Sequence, residues 1–164
     1  MSEYIVLSEG LGKKEKYESL IPQIIALVEG EKDLIANTAN ILAALKEAFA
    51  FFWIGIYFVK NENNKEELVL GPFQGPPACV RIAKGKGVCG TSWLTKAAII
   101  VSDVNLFPGH IACSPLSKSE IVIPVIKNNV VFAVIDIDSS EIAGFDSIDE
   151  IYLTKLAELI SMMV

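Results

Sequence analysis

Three cysteines are the residues of this 164-residue chain whose chemistry is most evident. Cys79, Cys89 and Cys113 all fall in two segments, residues 71–90 and 105–119, that fit neither a helical nor a strand pattern. Long irregular segments inside a compact domain are usually functional. In the cytosol, moreover, structural disulfides are rare and paired cysteines are more often catalytic or redox-active. We therefore expect cysteine chemistry in these two segments.

Cys113 is the best candidate for a nucleophile. A thiolate is the reactive form of cysteine, and its pKa falls beside a cation or at the start of a helix. Cys113 follows His110 by three residues and precedes Ser114 and Pro115, which suit the opening of a short helical turn. The alternative is a small buried apolar residue, which is the commoner role of a lone cysteine.

The other two cysteines flank a glycine-containing turn at residues 85–87. A mobile loop there could carry Cys79 or Cys89 to Cys113, as a resolving thiol requires. For Cys89, packing against the sheet is an equally good interpretation. Zinc is not expected, because the chain has no C-x-x-C pair and His110 is its only histidine. We predict no metal and no cofactor.

Acidic side chains form a second candidate group. Asp136 and Asp138 alternate with isoleucines in a predicted strand, so both carboxylates point to one face of the sheet. Glu120 opens the strand after the Cys113 segment and can share that face. Neighbouring acids repel unless they bind a cation, an ammonium group or a shared proton. A solvated sheet edge without a function is the alternative.

Two aromatic residues complete the candidate site. Trp53 and Tyr57 are four residues apart in a predicted strand, which places both side chains on one face if no bulge intervenes. Most such aromatics belong to a core. If they faced the acids, Trp53 and Tyr57 would instead form a pocket wall, because each side chain combines an apolar ring with one polar group.

Composition excludes several classes of function. The net charge is −6 and Arg81 is the only arginine, which argues against a nucleic-acid partner. Apolar residues make up 52% of the chain, yet the richest run spans 12 residues, from 48 to 59, and a membrane span needs roughly 20. No secretory signal is evident at the N-terminus. We expect a cytoplasmic protein with part of its surface covered by a second subunit.

The pattern of elements predicts an α+β fold in one domain. Apolar spacing predicts helices at residues 14–28, 34–45 and 151–163, with Pro22 marking a late start or a kink in the first. Strands are predicted at residues 51–60, 68–72, 98–101, 120–126 and 130–136. A polar turn at residues 61–65 and a tight turn at residues 127–129 predict two hairpins among these strands. Helices followed by a mostly antiparallel sheet and a final helix predict a single domain, residues 1–164, with a flexible N-terminal extension at 1–13.

Seven short segments, taken together, resemble the free methionine-(R)-sulfoxide reductases. They occur in the same order from the second helix to the end of the chain. The segments are FWIGIY at 52–57, LGPFQG at 70–75, ACVRI at 78–82, GKGVCGT at 85–91, FPGHIAC at 107–113, SEIV at 119–122 and DIDS at 136–139. Two positions depart from the family pattern: Ser114 replaces an aspartate and Ile56 replaces a phenylalanine.

The resemblance implies a fold, a reaction and a partner. The family is built on a GAF domain, with the helices packed on a central sheet, and its members reduce free methionine (R)-sulfoxide with thioredoxin and are commonly homodimers. It assigns Cys113 as the catalytic cysteine, Cys79 as the resolving cysteine and Cys89 as a third thiol. The residues implied to hold or protonate the substrate are Trp53, Tyr57, Glu120, Asp136 and Asp138. The alternative is a GAF module that binds a small molecule or senses thiol oxidation without turnover.

Overall fold

A computed structural model describes residues 4–111 and 113–164. The described elements are helices α1 (Lys13–Val28), α2 (Leu34–Phe49), α3 (Gly87–Thr95) and α4 (Ser147–Ser161), strands β1 (Trp53–Glu62), β2 (Lys65–Gln74), β3 (Arg81–Ala83), β4 (Ile99–Val101), β5 (Ser119–Lys127) and β6 (Val130–Ser139), and a short 3₁₀ helix (Val104–Leu106). All strand pairs are antiparallel, in the order β3-β2-β1-β6-β5-β4. The predicted α+β fold, a single domain around one antiparallel sheet, is confirmed.

The sheet separates two apolar clusters. Helices α1, α2 and α4 cover one face, where their apolar stripes meet alternate residues of β1, β5 and β6. Helix α3 covers part of the other face and contributes Val88, Cys89 and Trp93 to a second cluster. Because neighbouring side chains of a strand point to opposite faces, each central strand supplies both clusters. We call the first side the helix face and the second the site face.

Two tight turns set the register of the central hairpins. Asn63 and Asn64 join β1 to β2 with φ of 54° and 61°, and Asn128 and Asn129 join β5 to β6 with φ of 51° and 62°. Positive φ at both central residues is the geometry of the two-residue turn that matches the twist of the strands, and asparagine tolerates it well. Both hairpins predicted from the sequence are confirmed.

The three predicted helices are also confirmed, with clear signals at their ends. Asp33 caps α2 by accepting the backbone N–H of Ala36. Asp146 caps α4 and forms a reciprocal capping box with Asp149. Pro22 lies inside α1, which continues through it from Lys13 to Val28, so Pro22 does not mark a late start.

The segment at residues 71–90 is more regular than its composition predicts. Its first residues extend β2, its middle contains β3, and its end begins α3. Glycine-rich composition hid this helix, because glycine is a poor helix former. Gly90 nevertheless has a packing role: a Cβ there would lie 2.4 Å from the carbonyl oxygen of Ala83. Because Gly90 has no Cβ, α3 can pack closely against the backbone at the end of β3.

The expected N-terminal extension is described from Tyr4 onward, and residues 1–3 lie outside the described residues. Val6 exchanges hydrogen bonds with the side-chain amide of Gln23 on α1, at 2.8 and 2.9 Å. Within the described ranges, no helix is both long and apolar enough to cross a membrane.

Candidate active site

Strand register brings the three predicted acids together on the site face. On β6, Asp138 lies opposite Trp53 of β1 and Asp136 lies opposite Gly55. On its other side, Asp138 lies opposite Glu120 of β5. Antiparallel partners that face each other carry their side chains on the same side of the sheet. A cluster that spans three strands therefore follows from the pairing of β1, β6 and β5.

The two predicted aromatics form one wall of the same cavity and hold the loop above it. The rings of Trp53 and Tyr57 have centroids 6.2 Å apart. Trp53 Nε1 donates to the carbonyl oxygen of Pro76 at 3.0 Å, and the Tyr57 hydroxyl donates to the carbonyl oxygen of Cys79 at 3.0 Å. Both side chains therefore anchor the segment that carries Cys79.

Gly55 makes room for this wall. A Cβ at Gly55 would lie 2.2 Å from the Trp53 ring, much closer than any real contact. The indole therefore lies directly over the backbone of Gly55, and no larger residue fits there without displacing it.

A disulfide joins Cys79 to Cys113, with their Cα atoms 5.6 Å apart. It links the loop after β2 to the segment before β5, across 34 residues of sequence. Cys113 lies at the solvent side of the cavity, where it is exposed. The expected pairing of these two thiols is therefore present, and an external dithiol can approach its exposed side.

The helical turn expected after Cys113 is not present. Residues 114–117 form a turn, in which Ser114 Oγ accepts the backbone N–H of Leu116 at 3.2 Å. Proline and serine suit turns as well as helix starts, so the local sequence did not distinguish them. The helix N-terminus that borders the cavity belongs instead to α3, through Lys86 and Gly87.

Seven of the eight predicted site residues line one cavity, and the eighth, Cys79, is bonded to one of them. These seven are Trp53, Tyr57, Cys89, Cys113, Glu120, Asp136 and Asp138. Cys89 packs between α3 and the sheet, is 3% exposed and is the free cysteine. The structure therefore agrees with the interpretation of Cys89 as a residue packed against the sheet.

Burial dominates the electrostatics of the acids. It raises the pKa of Glu120 to about 8, with a further contribution from the charge of Asp138. Burial also raises the pKa of Asp136 well above its usual range, helped by Glu120 and Asp138. For Asp138, burial raises the pKa only to about 6, because a hydrogen bond from Ser117 and the proximity of His110 oppose it. Close to neutral pH the cluster therefore holds protons and retains an ionised member.

Cys89 belongs to this cluster chemically. Burial, and then the charges of Asp136 and Glu120, raise the pKa of its thiol well above the usual value. A sulfur atom and one carboxylate oxygen from each of these acids lie within 4.8 Å of one another. Such a group can hold a cation, which the cysteine and histidine spacing in the sequence did not indicate.

Comparison with known proteins agrees with the geometry. The GAF domain family model matches residues 29–164. The chain is 41% identical over 166 residues to the free methionine-R-sulfoxide reductase of Saccharomyces cerevisiae, covering 98% of this chain and 92% of the yeast protein. This chain belongs to the free methionine-R-sulfoxide reductase family. A second relative, GAF domain-containing protein A of Dictyostelium discoideum, is 56% identical over 160 residues, covering 98% of this chain and 99% of that protein.

A solved structure of this reductase family superposes closely on the chain. The free methionine-R-sulfoxide reductase of Neisseria meningitidis, determined in complex with its substrate, aligns with a TM-score of 0.94 and 44% identity. The alignment covers 99% of this chain and 95% of the Neisseria chain.

The two departures from the family pattern lie in different surroundings. Ile56 is fully buried on the helix face, away from the cavity. Ser114 lines the cavity beside Cys113. Of these two departures, only Ser114 changes a residue of the cavity wall.

Two polar residues beside the acids, His110 and Ser117, were not among the predicted site residues. His110 Nε2 lies 3.2 Å from Glu120 Oε2, and Ser117 lines the same cavity as Asp138 and lowers its pKa. Both precede β5 in the irregular segment that holds Cys113. The sole histidine was noted beside Cys113, but its contact with Glu120 depends on how the segment folds back over the sheet.

Proposed function

We propose that this protein reduces free methionine (R)-sulfoxide to methionine, with Cys113 as the nucleophile and Cys79 as the resolving thiol. Family membership makes the chain an oxidoreductase. The observation that carries the proposal is the Cys79–Cys113 disulfide beside a cavity lined by three acids, of which Glu120 and Asp136 are buried. A redox-active thiol pair and a proton source are what reduction of a sulfoxide requires.

The unequal pKa values of the acids support different roles for them. Glu120, with a pKa of about 8, is mostly protonated at pH 7 and can donate a proton to the sulfoxide oxygen. Asp138, with a pKa of about 6, is mostly ionised and can bind the substrate's ammonium group. Burial raises the pKa of Asp136 well above its usual range, so Asp136 is a second candidate proton donor. A methionine within a peptide lacks this ammonium group, which favours the free amino acid.

The reaction begins with the reduced protein. The Cys113 thiolate attacks the sulfoxide sulfur while Glu120 protonates the oxygen, which forms a bond between the two sulfur atoms. The hydroxyl group then moves to the sulfur of Cys113, and the bonds from the methionine sulfur to that oxygen and to Cys113 both break. Methionine leaves, reduced by two electrons, and Cys113 remains as a sulfenic acid. The Cys79 thiol then displaces water from the sulfenic acid and forms the disulfide.

The aromatic wall fits the remainder of the substrate. Trp53 and Tyr57 present apolar ring surface beside the acids. Thioether and methyl groups pack favourably against aromatic rings, at roughly 0.3–1.5 kcal/mol for each contact. The wall can therefore hold the methyl group and orient the sulfur toward Cys113.

Thioredoxin is the proposed reductant, acting in the cytoplasm on a homodimeric enzyme. Its dithiol would reopen the Cys79–Cys113 disulfide by exchange and return both thiols to the reduced state. The exposed position of Cys113 supports access by a protein reductant. Light scattering of the purified chain would measure its mass in solution and test the homodimer.

The decisive experiment is an assay of methionine formation from the separated R and S sulfoxides of free methionine and from a methionine sulfoxide peptide. We expect turnover of the free R sulfoxide with thioredoxin, its reductase and NADPH. Cys113→Ser should abolish turnover. Cys79→Ser should form one equivalent of methionine and then stop. Normal cycling by Cys113→Ser would overturn the assignment of the nucleophile.

The same assay addresses the alternative of a redox sensor. A sensor would form and break the Cys79–Cys113 disulfide in response to oxidants without consuming methionine sulfoxide. Disulfide formation with peroxide, combined with no methionine from either free sulfoxide, would favour the sensor.

A further inference from the structure

Three buried side chains from three different elements converge beneath the cavity. Cys89 comes from α3, Glu120 from β5 and Asp136 from β6. Their sulfur and carboxylate oxygen atoms all lie within 4.8 Å of one another, and the three residues are 3%, 6% and 7% exposed. The helix and both strands are packed into the fold, so the three ligand atoms are held by rigid elements.

One oxygen of this cluster is left without a protein partner. Asp136 Oδ1 is buried and accepts no hydrogen bond from the described residues. Buried polar atoms are nearly always paired, and an unpaired one has a specific cause, such as strain, a catalytic role, a bound water or a bound ion. Asp136 lines the cavity, so a group that binds its unpaired Oδ1 atom can enter through the cavity.

A sulfur and two carboxylate oxygens are a ligand set for a borderline metal. Zn²⁺ binds Cys sulfur at about 2.3 Å and carboxylate oxygen at about 2.0–2.2 Å in a tetrahedral site. Ligand atoms in such a site are separated by roughly 3.5 Å, so the three side chains need to close by about 1 Å. The cavity leaves the fourth position open to water.

We propose that Cys89, Glu120 and Asp136 form an inhibitory binding site for Zn²⁺ or a similar divalent cation. The thiol binds as a thiolate and both acids bind as carboxylates, and the protons that these three groups hold before binding pass to solvent. Asp138, two residues further along β6, stays outside the ligand set. The site is distinct from the Cys79–Cys113 pair, since it forms in the disulfide state in which Cys89 is the free cysteine.

The inhibitory consequence rests on the proposed function. A cation bound to Glu120 and Asp136 engages two of the acids that function needs for the substrate. It also adds a positive charge where the substrate's ammonium group would bind. Zn²⁺ should therefore compete with free methionine sulfoxide, raising KM and leaving kcat unchanged.

Cobalt(II) titration of the disulfide form tests the site independently of activity. Co²⁺ takes tetrahedral sites similar to those of Zn²⁺, and a thiolate ligand gives it a charge-transfer band in the near ultraviolet. We expect saturable binding of one Co²⁺ per chain with that band, and displacement by Zn²⁺. With Cys79 and Cys113 blocked in their disulfide, the band can come only from Cys89.

Matched variants locate the ligands. Cys89→Ser should remove the band, and Cys89→Ala provides a second test should the serine variant fold poorly. Asp136→Asn should weaken Co²⁺ binding at least about tenfold, since loss of an outer-shell partner alone costs that much. Asp138→Asn, an acid of the same strand and cavity, should keep the band. Circular dichroism would confirm that each variant is folded.

Several results would overturn the inference. One is an absence of saturable Co²⁺ binding, and another is a charge-transfer band that survives in folded Cys89→Ser. A band that requires reduction of the disulfide, or an equal loss of Co²⁺ affinity in Asp136→Asn and Asp138→Asn, would also contradict it. Failure of the proposed function is distinguishable, because a protein that gives the Cys89-dependent band without reducing methionine sulfoxide keeps the site and loses only its inhibitory role.

Discussion

The two faces of strand β6 perform opposite tasks within four consecutive residues. Ile135 and Ile137 are fully buried against the helices, whereas Asp136 and Asp138 point to the cavity on the other side. Successive side chains of a strand point to opposite faces of the sheet, so the isoleucines that stabilise the fold most lie directly beside the acids whose burial destabilises it. Packing of β6 against the helices keeps the strand rigid, and the rigid strand fixes the positions of Asp136 and Asp138 in the cavity.

The energetic contrast between the faces is large. Burial of an isoleucine side chain contributes roughly 1.5–3 kcal/mol, and the helix face contains many such residues. Burial of a charged carboxylate is unfavourable, and this cost raises the pKa values of all three acids. The helix face therefore offsets the cost of a site that destabilises the fold.

The largest expected effect is on catalysis and concerns Glu120. Glu120→Gln keeps the size of the side chain but removes its acidic proton. Loss of a general acid typically lowers the rate about 10²–10⁴-fold, and we expect kcat to fall within that range. Steady-state kinetics would measure it, with the exposed Glu141→Gln as control. A kcat within twofold of the parent protein would exclude Glu120 as the donor.

A substitution on the opposite face should act on stability instead. Ile137→Ala leaves a cavity against the helices and should lower the free energy of unfolding by about 2–5 kcal/mol. Ile137→Val, which removes one methyl group, should cost about 0.5–1.5 kcal/mol. Urea denaturation would measure both. If Ile137→Ala were to lower kcat before any loss of folded protein, the two faces would not be separable.

Gly55→Ala tests the contact between the backbone and the aromatic wall. The new Cβ would displace the Trp53 ring, so we expect a higher KM and a loss of stability of about 1–3 kcal/mol, as for other overpacked sites. Gly12→Ala is the control, because a Cβ there meets only the flexible carboxylate of Glu15. An unchanged KM would show that the position of Trp53 does not matter for substrate binding.

A pH dependence of stability is also expected from Glu120. Glu120 has an ordinary pKa of 4.5 and a folded pKa of about 8, so between these values the folded protein holds a proton that the unfolded chain releases. The stabilisation is complete below about pH 4.5 and is lost as the pH rises through 8, at up to about 1.4 kcal/mol per pH unit. Denaturation between pH 5 and 9 should show this decline.

Glu120→Gln provides the matched comparison for that measurement. The amide does not titrate, so the decline should become shallower and the variant should be the more stable protein at pH 8. A variant with an unchanged slope would assign the pH dependence to other groups, Asp136 and Asp138 among them.

Much of the fold followed from local patterns in the sequence. Apolar spacing predicted three helices, and the polar turns at residues 61–65 and 127–129 predicted both hairpins, because tight turns and amphipathic helices depend on neighbouring residues. Helix α3 was missed, since its stability comes from packing of Val88, Cys89 and Trp93 on the sheet rather than from its glycine-containing sequence. The short strand β3 was missed for the same reason: its pairing with β2 is a tertiary contact.

For the site, the sequence by itself determined which residues share a face and which side chains are of a type that can do redox or acid chemistry. The alternation at Asp136 and Asp138, and the even spacing of Trp53 and Tyr57, were sufficient for that, because the strand period is local. Only the tertiary structure decided the register that joins Glu120 to the two aspartates. Long-range pairing likewise decided the union of Cys79 with Cys113, the separate burial of Cys89 and the contact of His110 with Glu120. These depend on how distant segments meet, which no local pattern specifies.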